Sequence, residues 1–256
     1  MPADTKEGYV KLETHKGITT IEFFHPQSNS LPSSLLHDLA VAIIHAGDDP
    51  NTIVIIIRSA GEKAFCAGAS FDELIAIQNE EEGLKFFSGF AHVINAMRKC
   101  PKFIIGRIHG KCVGGGIGLA ASMDYAIAME AAEVKLSELA IGIGPFVVGP
   151  AVERKIGKAA FTHLSIDATM WRNSDWARRK GLFAEIHTTF EALDEAVSRL
   201  ANILSHSSPD AMKEMKKVFW AGTEDWDSLL IERAKISGRL VLSEFTRDAI
   251  NKFKTK

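Results

Sequence analysis

Three cysteines in 256 residues, Cys66, Cys100 and Cys112, are too few and too widely spaced for a disulfide framework, and no Cys-x-x-Cys occurs. That excludes a disulfide scaffold or zinc ribbon and points to ordinary thiols in a reducing compartment. Nine histidines include no His-x-x-x-His pair, so no metal site is expected. An excess of charge of one sign is also missing: 30 Lys+Arg stand against 32 Asp+Glu, a formal net charge of −2. A nucleic-acid surface needs a basic excess and an acidic disordered chain the reverse, so neither class fits. No apolar run approaches the ~20 residues that span a bilayer. The first residues, MPADTKEGYV, lack a basic region followed by an apolar stretch, so they do not read as a secretory signal. The expectation is a cytoplasmic protein without membrane or nucleic-acid partners.

What is present is 46% hydrophobic and 24% charged residues, enough for one large domain that folds without disulfides or metal. Residues 9–14 and 18–24 read as strands around the turn His15-Lys16-Gly17. Pro32 and the two serines after it start a helix with Leu36, Leu39, Ala40 and Ile43 on one face. Residues 52–57 are a continuous apolar run, as in a strand buried on both faces, and residues 103–108 read as a second buried strand. Phe86, Phe90, Val93, Ile94 and Met97 mark an amphipathic helix, and residues 125–129 and 134–136 read as further strands. Beyond residue 150 the pattern turns helical. Leu193, Val197, Leu200 and Leu204 share one face, Trp226, Leu230 and Ala234 another, and Val241, Phe245 and Phe253 a third. Strand–helix alternation followed by helices is an α/β order with a helical C-terminal extension. The four tryptophans, Trp171, Trp176, Trp220 and Trp226, all fall in the C-terminal half, as packing or subunit-contact anchors.

Two segments carry the chemistry. Gly114-Gly115-Gly116-Ile117-Gly118-Leu119-Ala120-Ala121 contains a G-x-G-x-x-A match starting at Gly116. The next strand begins near Tyr125, which leaves too few residues for the ~10–12 of a parallel crossover, so a dinucleotide site is disfavoured. A tight turn into a short helix remains. Its unpaired N–H groups are suited to an oxyanion, and its glycines equally to a plain structural turn. The second segment is the small-residue loop Glu62 to Ser70, just after an apolar strand, where ligands of α/β folds sit. Read alone, it is equally consistent with close packing. No G-x-S-x-G elbow is present, which disfavours a hydrolase triad. His109 is the one histidine close to these segments, and it reads as structural.

Together, in this order, the two loops resemble the crotonase, or enoyl-CoA hydratase/isomerase, family. Lys63-Ala64-Phe65-Cys66-Ala67-Gly68-Ala69 is similar to its first oxyanion loop. His109-Gly110-Lys111-Cys112-Val113-Gly114-Gly115-Gly116 is similar to the second, with Asp124 in the next strand. His25-Pro26-Gln27-Ser28-Asn29-Ser30-Leu31, Lys155-Ile156-Gly157-Lys158-Ala159-Ala160 and residues 177–183 match further landmarks. The resemblance implies an α/β fold: a spiral of repeated ββα units over residues 1–195, with a helical trimerisation region at 196–256. It implies a homotrimer or dimer of trimers, a role in fatty acid metabolism, an acyl-CoA substrate, and no cofactor beyond the coenzyme A of that substrate. By position, the N–H groups of Ala69 and Gly115 would form the oxyanion hole. Lys63, Ala64, Ala67, Gly68, Gly116 and Phe146 would contact CoA or substrate.

The departures from the family pattern matter. Hydratases of this family use two glutamates. The first position is Gly118 here, and the second is Glu138, the single matching acid/base. Ser122, one turn beyond Gly118, is a poor substitute. Ser70 replaces the usual aspartate, with Asp72 nearby, and Phe146 and Val148 replace glycines. Those two side chains either narrow the acyl pocket or join the core. One base suffices to move a double bond from the 3,4 to the 2,3 position, so isomerisation is the expected reaction. The alternatives are 2-enoyl-CoA hydration and a non-catalytic acyl-CoA-binding subunit; decarboxylation and thioester hydrolysis share the same oxyanion hole.

Overall fold

The structure, a computed structural model, describes residues 8–254. Strands β1 (Tyr9–His15) and β2 (Ile18–Phe24) pair antiparallel across a turn in which Lys16 and Gly17 both have positive φ. Helix α1 (Ser33–Asp48) starts after Pro32, whose missing N–H is no loss at a helix start.

Three units then repeat one plan: a strand in a large sheet, a short strand in a small sheet, then helix. The first comprises β3 (Val54–Ser59), β4 (Ala64–Cys66), α2 (Phe71–Ala76) and α3 (Glu80–Lys99). The second comprises β5 (Phe103–Ile108), β6 (Lys111–Val113) and α4 (Gly115–Ser122). The third comprises β7 (Tyr125–Met129), β8 (Glu133–Lys135), a 3-10 turn (Glu138–Ile141), α5 (Gly149–Ile156) and α6 (Lys158–Ile166). The chain closes with β9 (Arg172–Asn173), α7 (Ser174–Arg179), β10 (Glu185–His187), α8 (Phe190–Ser205), α9 (Pro209–Phe219), α10 (Trp226–Leu240) and α11 (Glu244–Lys254).

The large sheet runs β1-β2-β3-β5-β7-β10 and the small one β4-β6-β8-β9. Successive side chains of a strand point to opposite faces, and the core divides accordingly. Ile55 and Ile57 of β3 join the main core with α1 and α3, while Val54 joins Ile105, Ile127 and the Leu193–Val197 face of α8 on the other side. Within the small sheet, β4, β6 and β8 are parallel. The segments leaving their C-terminal ends, beginning at Ala67, Gly114 and Leu136, therefore emerge side by side, and the site lies there.

Several boundaries differ from the sequence reading. The strand expected at 52 begins at Val54, because Thr52 turns inward to share a 2.6 Å hydrogen bond with Thr19. The strand expected at 134–136 is Glu133–Lys135, and the loop of residues 61–70 contains β4. Val241 and Phe245 do not share a helical face: Val241 ends α10 and is buried, whereas Phe245 lies on α11 and is exposed. The side chain of Phe253 lies outside those described.

The division at 195/196 falls inside α8, and the helices after it are not set apart from the core. Trp220, Trp226, Leu230 and Ala234 belong to the main core, and a β-carbon on Gly83 of α3 would lie 2.7 Å from Gly238 Cα of α10. Buried Lys216 of α9 donates to Asp124 Oδ2 at 2.7 Å, and Trp220 Nε1 donates to Oδ1 at 3.2 Å. Asp124, also accepting the Ile104 N–H, thus anchors the C-terminal helices to the sheet. No helix among the described residues is long and apolar enough to cross a membrane.

Candidate active site

The two glycine loops are pressed together backbone to backbone. A β-carbon on Gly110 would lie 2.5 Å from the Lys63 carbonyl oxygen, and one on Gly116 2.3 Å from that of Cys66. Only glycine tolerates such an approach. Close packing, left open by the sequence, is therefore the role of these two glycines. Asn29 braces the first loop from behind. It is buried, its Nδ2 donates to the carbonyls of Ala60 and Ala64, each at 2.8 Å, and its Oδ1 accepts the His25 N–H at 2.9 Å. Composition gave no sign of that role.

Around Ala69 the backbone is tied on both sides: Leu31 N–H donates to Gly68 O at 2.8 Å, and Ser70 N–H to Leu31 O at 3.1 Å. The N–H of Ala69 has no acceptor among the described residues, and neither has that of Gly115, the first residue of α4. Both residues line one cavity of about 420 Å³, within the usual range for small-molecule sites. Gly68 keeps the loops in register: its φ is +93°, and a β-carbon there would lie 3.5 Å from Gly115 N. Phe90 covers Gly115 so closely that a β-carbon would meet its ring at 2.2 Å.

Glu138 enters the same cavity from the start of the 3-10 turn. A β-carbon on Gly114 would lie 3.0 Å from its Oε1, so the carboxyl rests against the second loop. Its Oε2 is buried and has no hydrogen-bond partner among the described residues. Burial disfavours the charged carboxylate and pushes its pKa up to about 7, partly offset by a hydrogen bond from its own backbone. Glu138 is the one carboxylate among the described residues lining the cavity, whose other walls include Phe71, Leu74, Phe87, Ile141 and Val147.

The other sequence candidates divide. Ala67, Gly68 and Phe146 line the cavity; Lys63, Ala64 and Gly116 do not. Lys63 is exposed, while Ala64 and Gly116 are buried in the packing of the two loops. Phe146 lies over Gly144, where a β-carbon would meet its ring at 2.6 Å. Val148 both lines the cavity and packs on Gly118: a β-carbon there would lie 2.5 Å from Val148 Cγ1. Ser70 takes the N-cap of α2, accepting the Glu73 N–H at 3.4 Å, a task aspartate also performs. Asp72 instead accepts from Gln27 Nε2 at 2.8 Å. Ser122 is no substitute base, because its hydroxyl turns back onto the Gly118 carbonyl at 2.8 Å and is fully buried. His109 is buried beside Phe190, with neither ring nitrogen hydrogen-bonded among the described residues, and does not line the cavity.

A six-stranded and a four-stranded sheet built from ββα units, with paired glycine loops at the strand ends, define the class. Its solved members include an enoyl-CoA hydratase from Bacillus halodurans that superposes with a TM-score of 0.88 at 22% identity, over 95% of this chain and 99% of that one. The model of the enoyl-CoA hydratase/isomerase family matches residues 13–252, and the chain belongs to that family and is an enzyme of its type. Relatives include the short-chain-enoyl-CoA hydratase of Clostridium acetobutylicum, 28% identical over 95% of this chain and 94% of that one. The carnitinyl-CoA dehydratase of Proteus mirabilis is 28% identical over 83% of this chain and 80% of its own.

Proposed function

We propose that this enzyme moves the double bond of an enoyl-CoA from the 3,4 to the 2,3 position, with Glu138 as its single acid/base. One observation carries the reading. Glu138 is the one carboxylate among the described residues lining the cavity, and Val148 fills the space beside Gly118 where a second would stand. The N–H groups of Ala69 and Gly115 hold the thioester oxygen. Glu138 takes a proton from C2, the electrons pass into a dienolate whose charge rests on that oxygen, and the same carboxyl returns the proton at C4. Atoms balance without water. A pKa of about 7 suits a group that must both accept and donate near neutrality. Gly68 and Ala67 flank the thioester, Phe146 closes one side of the acyl pocket, and Lys63 reaches the CoA phosphates from the exposed end of its loop.

Hydration is the second reading, favoured by the name of the Clostridium acetobutylicum relative. Incubation with 3-enoyl- and 2-enoyl-CoA in deuterated water, followed by mass spectrometry, separates the two. A shifted double bond without added water is the expected result; a 3-hydroxyacyl-CoA product overturns the isomerase reading. A protein that binds acyl-CoA without shifting the double bond, adding water or exchanging deuterium is a non-catalytic subunit. Assembly as a trimer or dimer of trimers is supported by Ile203, Val218 and Phe219, exposed on α8 and α9, and is tested by sedimentation velocity.

A further inference from the structure

A second cavity, of about 410 Å³, shares no lining residue with the first. It lies at the N-terminal ends of β5 and β7, marked by Phe103 and Tyr125, while the other ends of those strands lead into the small sheet. The chemistry described so far makes no use of it.

Its polar end gathers positive charge that the protein does not neutralise. Asp124 is the one carboxylate among the described residues lining it, and both its oxygens are taken. Oδ2 accepts from Lys216 Nζ and the Ile104 N–H, and Oδ1 from Trp220 Nε1. Lys155, half-buried, donates to the carbonyls of Met123 at 2.8 Å and Asp124 at 3.3 Å, which leaves one ammonium hydrogen over. Burial pushes its pKa down, and the Asp124 charge offsets this only in part. Arg154 stands at the exposed rim, its guanidinium carbon 4.2 Å from the Trp220 ring centroid. That guanidinium has neither a carboxylate partner nor a hydrogen-bond acceptor among the described residues. Arg154, Lys155 and Lys216 thus face a single carboxylate, and an arginine held over an aromatic ring keeps its N–H groups available for another.

The remaining walls are apolar. They are Leu200 and Leu204 of α8, Met215 and Phe219 of α9, and Phe103, whose ring stacks on that of Phe219 with centroids 6.0 Å apart. A small inorganic anion would leave this surface wet, and a plain hydrocarbon would leave the cations unpaired. A carboxylate at the end of an apolar chain satisfies both halves.

We propose that this cavity is a second ligand site, which takes a carboxylate carried on a medium-length apolar chain, with Arg154 and Lys155 on the headgroup and α8 and α9 along the chain. The inference does not depend on the acyl-CoA reading of the first cavity.

The test is calorimetric titration of the protein, in the assembly state in which it purifies, with octanoate, octanol and acetate. Octanoate should bind roughly 10-fold or more tightly than octanol, which lacks the charge, or acetate, which lacks the chain. Arg154→Gln keeps a planar group for Trp220 but removes the charge, and octanoate affinity should fall roughly 10-fold or more. Leu204→Trp fills the apolar half and should abolish binding, an independent check should Arg154→Gln not fold. Turnover in both variants should stay within about twofold of wild type, because neither residue lines the first cavity. Octanoate should also raise the melting temperature of wild type and not that of Arg154→Gln. Binding that is equally strong in both variants lies elsewhere and overturns the proposal. So does octanol or acetate binding as tightly as octanoate, or no binding of octanoate to wild type.

Discussion

Val148 stands where a side chain at position 118 would point: a β-carbon on Gly118 would lie 2.5 Å from Val148 Cγ1 and 2.8 Å from its Cβ. Two departures from the family pattern that are thirty residues apart in the chain are thus one steric arrangement. Gly118→Glu alone should overpack this contact and destabilise by about 1–3 kcal/mol. Gly118→Glu combined with Val148→Gly should relieve the clash and add a second acid/base. Hydration of 2-enoyl-CoA should then rise roughly 10²-fold or more over wild type, read as 3-hydroxyacyl-CoA by mass spectrometry.

Glu138→Gln should lower turnover by roughly 10²–10⁴ while leaving acyl-CoA binding in place. In wild type the base must be ionised, so kcat/KM should rise with pH through about 7 and level off above it. Stability follows the opposite course. The folded-state pKa is raised above the ordinary 4.5, so the stability linked to the protonated carboxyl is full below that value and lost as pH rises through about 7. Glu138→Gln should therefore melt higher than wild type at pH 8, and show little difference at pH 4.

Gly115→Ala should fail for a reason separable from chemistry. The added methyl meets the Phe90 ring at 2.2 Å, so the loop or the ring must move. A loss of about 1–3 kcal/mol in chemical denaturation is expected, together with a fall in turnover. Phe90→Leu in the same chain should recover much of the stability. It should recover little of the activity if the Gly115 N–H is displaced from the thioester oxygen.

Histidine 109 is neutral in the fold. Burial, helped by the Arg107 charge, pushes its pKa down to about 4 from 6.5. Below pH 6.5 the unfolded chain gains a proton that the folded chain refuses. Stability from this residue is therefore full above about 6.5 and drains away as pH falls to about 4, by up to about 3 kcal/mol. His109→Leu should flatten that part of the profile, seen as a shrinking difference from wild type in urea midpoints between pH 7 and pH 4.5. The effect runs opposite to that of Glu138, so the two variants are best compared in the same pH series.

Much of the fold was legible because its signals are local. The apolar run at residues 52–57 and the mostly apolar segment 103–108 suit strands covered on both faces, and the structure covers β3 and β5 with α1 and α3 on one side and α8 on the other. The Leu193–Leu204 stripe marked α8 by helical spacing alone. The end of the chain was read less well. Val241 and Phe245 are four apart and look like one stripe, but the helix stops between them, and no glycine or proline marks the break.

Residue types and their order by themselves determined the family, the small side chains of both loops, and the presence of Glu138 with no carboxylate at 118. Those follow from local chemistry, since a glycine or a glutamate is what it is wherever the chain takes it. Only the tertiary structure decided that Val148 closes the space at Gly118 and that Asn29 braces the first loop. Each joins segments distant in sequence through packing. The burial that raises the Glu138 pKa belongs with them, because it depends on which distant side chains exclude water, and one residue's identity does not record that.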